Sequence, residues 1–495
     1  MKPAPRSNIA TLAALGCALA LLSAAAVHYF FSHGYLLWYG DAEAHLNSAR
    51  RLVDCATSKY GQIGTVWLPL PHFATAPFAA VDAWWRTGIA AAFPSAVCFV
   101  AGGLFLFAAT RRIFDSTAAA FAAVSLAALN PNLLYLQSTS MTESYFYAEI
   151  TAVLYCTITG RVTLAALATV AATLTRYEGW FLIPFVTLFF ATRKPKSAIL
   201  YAAIASLGPL YWFGHNWFLT GDPLDFYRGP YSPRAIQRGE PYPGLHNAPL
   251  AWLYYRTAVT LCSGPGLALM AIAGTVVALA RRAFWPMLLL ALPPIFYLWS
   301  MYSSGGTPIH VPGLWPDSYY NTRYGLAALP FLALASASLV TAVPNRIRAI
   351  VAVLIVIAGT IHWVAYPGPE NWITWKESEH NSTGRRVWTT QAADYLRVHY
   401  RPGVGVLSSG GDDLFGIYRL AGIPLRETFS VDNGLPWEAA VRRPDLYLTQ
   451  GWAVAKRGDL VEQAVVRSGR YRLIRTIEEK YEPTIEIYKL TGDLK

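Results

Sequence analysis

The feature that most constrains this chain is a series of apolar runs, each near the length of a membrane-spanning helix and separated by short polar loops. About 20 consecutive apolar residues are needed to cross the hydrocarbon core of a bilayer. The runs fall at 9–31, 89–110, 117–138, 143–160, 162–175, 179–192, 197–219, 257–280, 284–303, 324–343 and 347–366. That pattern predicts a polytopic α-helical membrane protein with about 11 transmembrane helices. It excludes a soluble globular protein, a disordered chain and a secreted disulfide scaffold. Only 14% of the 495 residues are charged, against about 25% in an average soluble domain. The five cysteines contain no CxxC pair and suggest neither a zinc site nor a redox motif.

Net charge is +11, and its distribution fixes an orientation. Alternate short loops hold Lys2, Arg6, Arg111, Arg112, Arg161, Arg193, Lys194, Lys196, Arg281, Arg282, Arg346 and Arg348, with Asp115 their only acid. These loops therefore carry the whole excess, and the rest of the chain nets zero. Cytoplasmic loops are enriched in Lys and Arg. The N-terminus is expected in the cytoplasm of a prokaryotic plasma (inner) membrane, and the tail outside it. The basic balance reports topology and implies no nucleic acid.

The domains expected are a membrane module over 1–366, with a first outer loop at about 32–88, and an extracytoplasmic α/β domain over 367–495. In the tail, helices are predicted at Gln391–Tyr400, Asp412–Ala421 and Glu462–Arg467. Strands are predicted at Val404–Ser408 and Asp445–Thr449, with a terminal hairpin from Tyr471–Ile477 and Thr484–Leu490. Ser409-Gly410-Gly411-Asp412 has the look of a phosphate loop but reads better as a plain strand-to-helix turn.

Ionisable groups near a membrane mark where a protein works, and here they gather in the outer loops. After the first span, Gly40-Asp41-Ala42-Glu43-Ala44-His45 opens a stretch with helical spacing to Asp54. It reads as a helix on the membrane surface, with Asp41 either an ordinary N-cap or a reactive carboxylate. Trp67-Leu68-Pro69-Leu70-Pro71-His72 reads as a rigid loop with an interfacial tryptophan. Ser140-Met141-Thr142-Glu143 has capping-box spacing. Arg176 and Glu178 are placed to pair, and Arg323-Tyr324 enters a later span from the same side. A guanidinium at the lipid boundary suits a phosphate through its planar fork of donors; alternatively it snorkels. Glu149 lies inside a span and must face protein or water.

As a set, Gly40-Asp41-Ala42-Glu43, Trp67-Leu68-Pro69-Leu70-Pro71, Met141-Thr142-Glu143, Thr175-Arg176-Tyr177-Glu178-Gly179-Trp180 and Arg323-Tyr324-Gly325 resemble the GT-C superfamily of membrane glycosyltransferases. The likeness is to family 39-like enzymes, the protein O-mannosyltransferase and aminoarabinose transferase type, over about residues 9–366. The resemblance implies an inverting transferase of the cell envelope. It would move a sugar from a polyprenyl-phosphate donor to an acceptor hydroxyl of a protein, lipid or glycan. It further implies Asp41 as catalytic base with Glu43 as second acidic position. Substrate would be held by His45, His72, Glu143, Arg176, Glu178, Arg323 and Tyr324. No cofactor is expected; Asp41 and Glu43 are the carboxylates a divalent cation would use, as in oligosaccharyl-transferring relatives. Two other readings fit the residues: a transporter or flippase of lipid-linked sugars, and a non-catalytic envelope assembly protein.

Overall fold

The computed structural model describes residues 9–57, 60–303, 307–409 and 414–491. Lys2 and Arg6 lie outside them, as does most of the Ser409–Asp412 turn. The protein is an α-helical membrane protein with a small sheet near its C-terminus. Among the described residues, six helices are long and apolar enough to span: Ile9–Ser32, Ile89–Phe114, Pro195–Thr220, Phe284–Ser303, Thr322–Ala342 and Asn345–Ala365. A seventh follows if Ala248–Ser263 and Pro265–Ala280 count as one, although they bend by 109°. Eleven runs were expected, and the differences have local causes. The 257–280 run breaks at Gly264-Pro265, where proline starts a new helix. The 117–138 run breaks where the Asn130 side chain caps Pro131–Leu136 by accepting from two backbone N–H groups. Thr117–Ala128, Val162–Thr173 and Tyr177–Ala191 are apolar but short.

The chain forms two compact units. The first comprises the described residues of Met1–His33, Thr65–Pro71 and Pro94–Glu377. The second comprises those of Gly34–Gly64, His72–Phe93 and Ser378–Lys495.

Small residues pack the first unit where helix backbones meet, as is usual between membrane helices. A Cβ on Gly274 would lie 2.0 Å from the Ala335 carbonyl oxygen, and one on Gly325 would lie 2.4 Å from that of Ala258. The Ser338 hydroxyl donates to the Gly274 carbonyl at 2.6 Å and ties the same pair of helices. Gly274→Val should therefore force these helices apart. The expected cost is about 1–3 kcal/mol, read as a lower thermal unfolding midpoint in detergent; an unchanged midpoint would contradict this packing.

The second unit is an α/β domain. Its strands are β1 (Val406–Ser408), β2 (Thr428–Phe429), β3 (Trp452–Lys456), β4 (Tyr471–Ile477) and β5 (Ile485–Leu490), in the order β2-β1-β3-β5-β4. β1 runs parallel to β2 and β3, while β5 runs antiparallel to β3 and β4. Side chains alternate between the two faces of a strand, and both faces here are apolar. Val406, Trp452, Val454, Ile485 and Ile487 share a core with Leu46, Ala49, Trp85, Trp388 and Leu396. Leu407, Ala453, Ala455 and Tyr488 pack with Trp437, Ala440, Val461 and Val465. One sheet face is thus covered by segments from 40–91, which explains why the first loop joins the tail.

The tail helices form over Ile373–His399, Phe415–Ala421 and Leu460–Ser468, and the hairpin forms as expected. The strand expected at Asp445–Thr449 does not form. Pro444 has no N–H for a ladder and instead begins the short helix Pro444–Tyr447, and the strand comes later, at Trp452–Lys456.

Candidate functional site

In the first unit, three segments bring charged side chains, and a fourth apolar and aromatic ones, to one open pocket with about 520 Å³ of empty space. Glu143 comes from the first residue of Glu143–Ile158, and Arg176 and Glu178 from the turn after Val162–Thr173. Arg323 and Tyr324 come from a 3-10 turn, Thr322–Ala328, held close to its neighbour by Gly325. Phe284–Ser303 contributes Leu290, Pro293 and Tyr297. The remaining walls include Leu133, Phe146, Ile150, Leu326, Leu329 and Pro330, so the charges sit in an apolar setting.

The Arg176 guanidinium uses every nitrogen. Its Nε donates to Glu178 Oε1 at 2.5 Å, and Nη1 donates to Thr142 Oγ1 at 2.6 Å and to Glu143 Oε1 at 3.0 Å. Its Nη2 donates to the Tyr297 hydroxyl, which in turn donates to Glu178 Oε1 at 2.6 Å. Arg323 Nε lies 3.5 Å from Glu143 Oε1, and its Nη1 donates to Glu377 Oε1 at 3.4 Å. Both guanidiniums lie over the Tyr324 ring, at 5.6 and 5.2 Å, and Tyr324 stacks on Tyr297 at 4.4 Å. Side-chain exposure is 12% for Arg176 and 8% for Arg323. Two cations are thus held in a nearly dry pocket by carboxylates and aromatic faces, where charge-assisted bonds are strong.

Three members of this network were not among the expected residues. Tyr297 sits inside an apolar run and carries no sequence signal beyond its hydroxyl. Thr142 accepts from Arg176 instead of capping its helix, so the capping box expected from Ser140 and Glu143 does not form. Glu377 lies in Trp375-Lys376-Glu377-Ser378-Glu379-His380, which reads as a solvated helix, yet it is 2% exposed. It accepts from the backbone N–H of Asn321 at 3.0 Å and of Thr322 at 2.8 Å, from the Thr322 hydroxyl, and from Arg323. It therefore fixes both Arg323 and the turn that carries it. Burial pushes the Glu377 carboxyl above its ordinary value, against the pull of Arg323 and Thr322.

The proline loop is fixed within the same unit. The Leu70 N–H donates to the Leu174 carbonyl at 3.0 Å, and the Tyr177 hydroxyl donates to the Val66 carbonyl at 2.6 Å.

In the second unit, Gly40–Arg51 is a helix with Tyr39 in the cap position. Asp41 is therefore not an N-cap; it lies in the first turn, where a carboxylate gains from the helix dipole. Nor does this helix expose the polar face expected of a surface helix. Every residue from Ala42 to Arg51 is buried. Residues two apart on a helix point about 200° apart at 3.6 residues per turn, so Asp41 and Glu43 diverge. Glu43 is 3% exposed. Arg419 clasps it with Nε to Oε1 at 2.7 Å and Nη2 to Oε2 at 2.9 Å, and Asn47 donates to Oε1 at 3.2 Å. Burial alone would raise the Glu43 carboxyl, but Arg419 outweighs it and holds the group below its ordinary value. A cation bridging Asp41 and Glu43 would have to displace that guanidinium. His45 Nδ1 and His72 Nε2 are 2.8 Å apart, so one ring donates to the other. Burial, with His45 and Arg51 beside it, holds the His72 imidazole well below its ordinary value. The structure thus brings Glu143, Arg176, Glu178, Arg323 and Tyr324 together in one unit, and Glu43, His45 and His72 together in the other.

No family model and no curated protein matches the sequence. Solved structures do. The chain is similar to the crystal structure of ArnT from Cupriavidus metallidurans bound to undecaprenyl phosphate, at a TM-score of 0.57 and 12% identity, over 94% of this chain and 97% of that one. It is also similar to ArnT from the same organism in the apo state, at a TM-score of 0.50 and 12% identity, over 97% and 98%. The protein therefore shares the fold of these ArnT structures.

Proposed function

We propose that this protein is an inverting glycosyltransferase that uses a sugar carried on a polyprenyl phosphate. The observation that carries this reading is the pair of buried guanidiniums, Arg176 and Arg323, at the apolar cavity. It is supported by the shared fold with ArnT, one of whose structures is bound to undecaprenyl phosphate. An apolar wall suits the isoprenoid chain, and two fixed guanidiniums suit its phosphate. The reaction would run at the outer face of a prokaryotic inner membrane, with the N-terminus cytoplasmic and the α/β domain outside.

In this mechanism Asp41 takes the proton of the acceptor hydroxyl. The oxygen attacks the anomeric carbon, the bond from that carbon to the phosphate oxygen breaks, and polyprenyl phosphate leaves with one added negative charge. Arg176 and Arg323 stabilise that charge as it develops, which is where fixed donors contribute most to rate. Tyr324 and Tyr297 set the planes of the two guanidiniums, and Glu178 and Glu377 hold them from behind. Glu43, held by Arg419, supports the helix that presents Asp41 and takes no proton itself. The His45–His72 pair has the same supporting part.

Arg323→Lys tests the phosphate assignment, because it keeps the charge and removes the planar fork. Losing one charge-assisted bond of about 1.5–3 kcal/mol should weaken binding of a short polyprenyl phosphate about 10- to 100-fold. Titration of the detergent-solubilised protein measures this; unchanged affinity would contradict the assignment.

A further inference from the structure

Glu143 stands between the two cavity arginines. Its Oε1 accepts from Arg176 at 3.0 Å and lies 3.5 Å from Arg323 Nε. Its Oε2 is buried, with no hydrogen-bond partner among the described residues. One carboxylate thus occupies the place, between two guanidiniums, that an incoming phosphate needs. The surrounding charges make its arrival unfavourable unless something else changes. Arg176 and Arg323 already face Glu143, Glu178 and Glu377, three carboxylates against two cations. Cys262 faces Glu143 from the Ala248–Ser263 helix, Tyr297 and Tyr324 from the far wall and Tyr147 from its own helix, while Glu149, further along that helix, lies near Arg176 and Glu178. None of these adds a positive charge. A phosphate entering so dry a site adds at least one more negative charge, and like charges in low dielectric repel strongly.

The hydrogen bonds decide which carboxylate yields. Glu377 accepts from four donors, two of them backbone N–H groups that a protonated carboxyl could not satisfy in full. Glu178 Oε1 accepts from Arg176 and Tyr297. Glu143 alone of the three touches both guanidiniums, and its buried Oε2 is an oxygen where a proton displaces no hydrogen bond. Donors hold a carboxylate in its ionised form, and Glu143 has the fewest.

We propose that Glu143 is a stand-in anion for the lipid phosphate: ionised while it bridges Arg176 and Arg323, and protonated on Oε2 when the phosphate takes its place. Phosphate capture then takes up one proton from solvent, and phosphate release returns it. The inference rests on the reading that the phosphate binds at these arginines.

The test is calorimetric titration of the full chain in detergent with farnesyl phosphate, in two buffers of unlike ionisation heat. It is run at pH 8, above the phosphate's own second titration near 6. The wild-type protein should take up about one proton per lipid bound, and its affinity should fall up to about 10-fold per unit rise in pH. Glu143→Gln should bind at least as tightly, with uptake near zero and little pH dependence. Zero uptake by the wild type overturns the proposal whether or not the variant folds. So does uptake that persists in Glu143→Gln, and uptake abolished in Glu377→Gln alone would assign the proton to Glu377. If the wild type binds no farnesyl phosphate at all, the phosphate reading itself fails, and this inference with it.

Discussion

Asp41→Asn is expected to lower sugar transfer by about 10²- to 10⁴-fold, the range a positioned general base contributes, while expression and membrane insertion stay at wild-type levels. The side chain keeps its size and loses its capacity to accept the acceptor's proton. Capping does not account for this residue, since the cap of its helix is Tyr39 and Asp41 lies in the first turn. Glu43, two positions on, points elsewhere and is committed to Arg419. Loss of transfer in Asp41→Asn with normal binding of polyprenyl phosphate is the signature of a base. Full activity would remove Asp41 from the mechanism.

The second large effect is on stability. Arg419→Ala should destabilise the second unit by about 3–5 kcal/mol, because it leaves the Glu43 carboxylate buried and uncompensated. For a domain of this size that corresponds to a drop of about 10 °C in its unfolding midpoint. Replacing both partners by apolar residues, Glu43→Leu with Arg419→Met, should recover much of the loss, since a buried ion pair exchanged for well-packed apolar groups is often neutral. The pH dependence follows from the same pair. The Glu43 carboxyl is held below 4.5 in the folded protein. Its contribution is therefore full above the unfolded value of about 4.5 and is lost as pH falls below that through the folded value. A double variant as unstable as Arg419→Ala would show that the loss comes from packing and not from the stranded charge.

Much of this architecture was legible because membrane helices and amphipathic strands leave periodic traces. The apolar runs located the helices, and Val404–Ser408 and the terminal alternation located most of the sheet. Arg176, Glu178, Arg323 and Glu143 were legible because charges are rare in such a chain and costly there, and Tyr324 was legible as the neighbour of Arg323. What was not legible depends on contacts distant in sequence. Nothing in Gly40–Arg51 shows that Leu46 and Ala49 cover a sheet built from residues beyond 400. That burial replaces the expected surface helix with a core one. Glu377 looks like a solvent-facing residue until the backbone N–H groups of Asn321 and Thr322 are brought to it. Arg419 sits in a short helix with no motif, and only the fold reveals that Glu43 is its partner. Breaks within runs were half visible: Gly264-Pro265 and Asn130-Pro131 carry known turn chemistry, but their effect on the count of spans depends on the angle between the pieces.

The central claim is that a sugar is transferred and its lipid carrier released, and one measurement addresses it directly. The purified chain in sealed vesicles is given polyprenyl-phosphate donors carrying radiolabelled sugars, together with envelope extract as acceptor. Released polyprenyl phosphate and label on acceptor are counted alongside label still on lipid in each leaflet. The account predicts that label leaves the lipid one-for-one with the appearance of free polyprenyl phosphate, and that Asp41→Asn abolishes this. Lipid-linked label that crosses the bilayer with its sugar still attached, or label that stays on the lipid where it began, would contradict it.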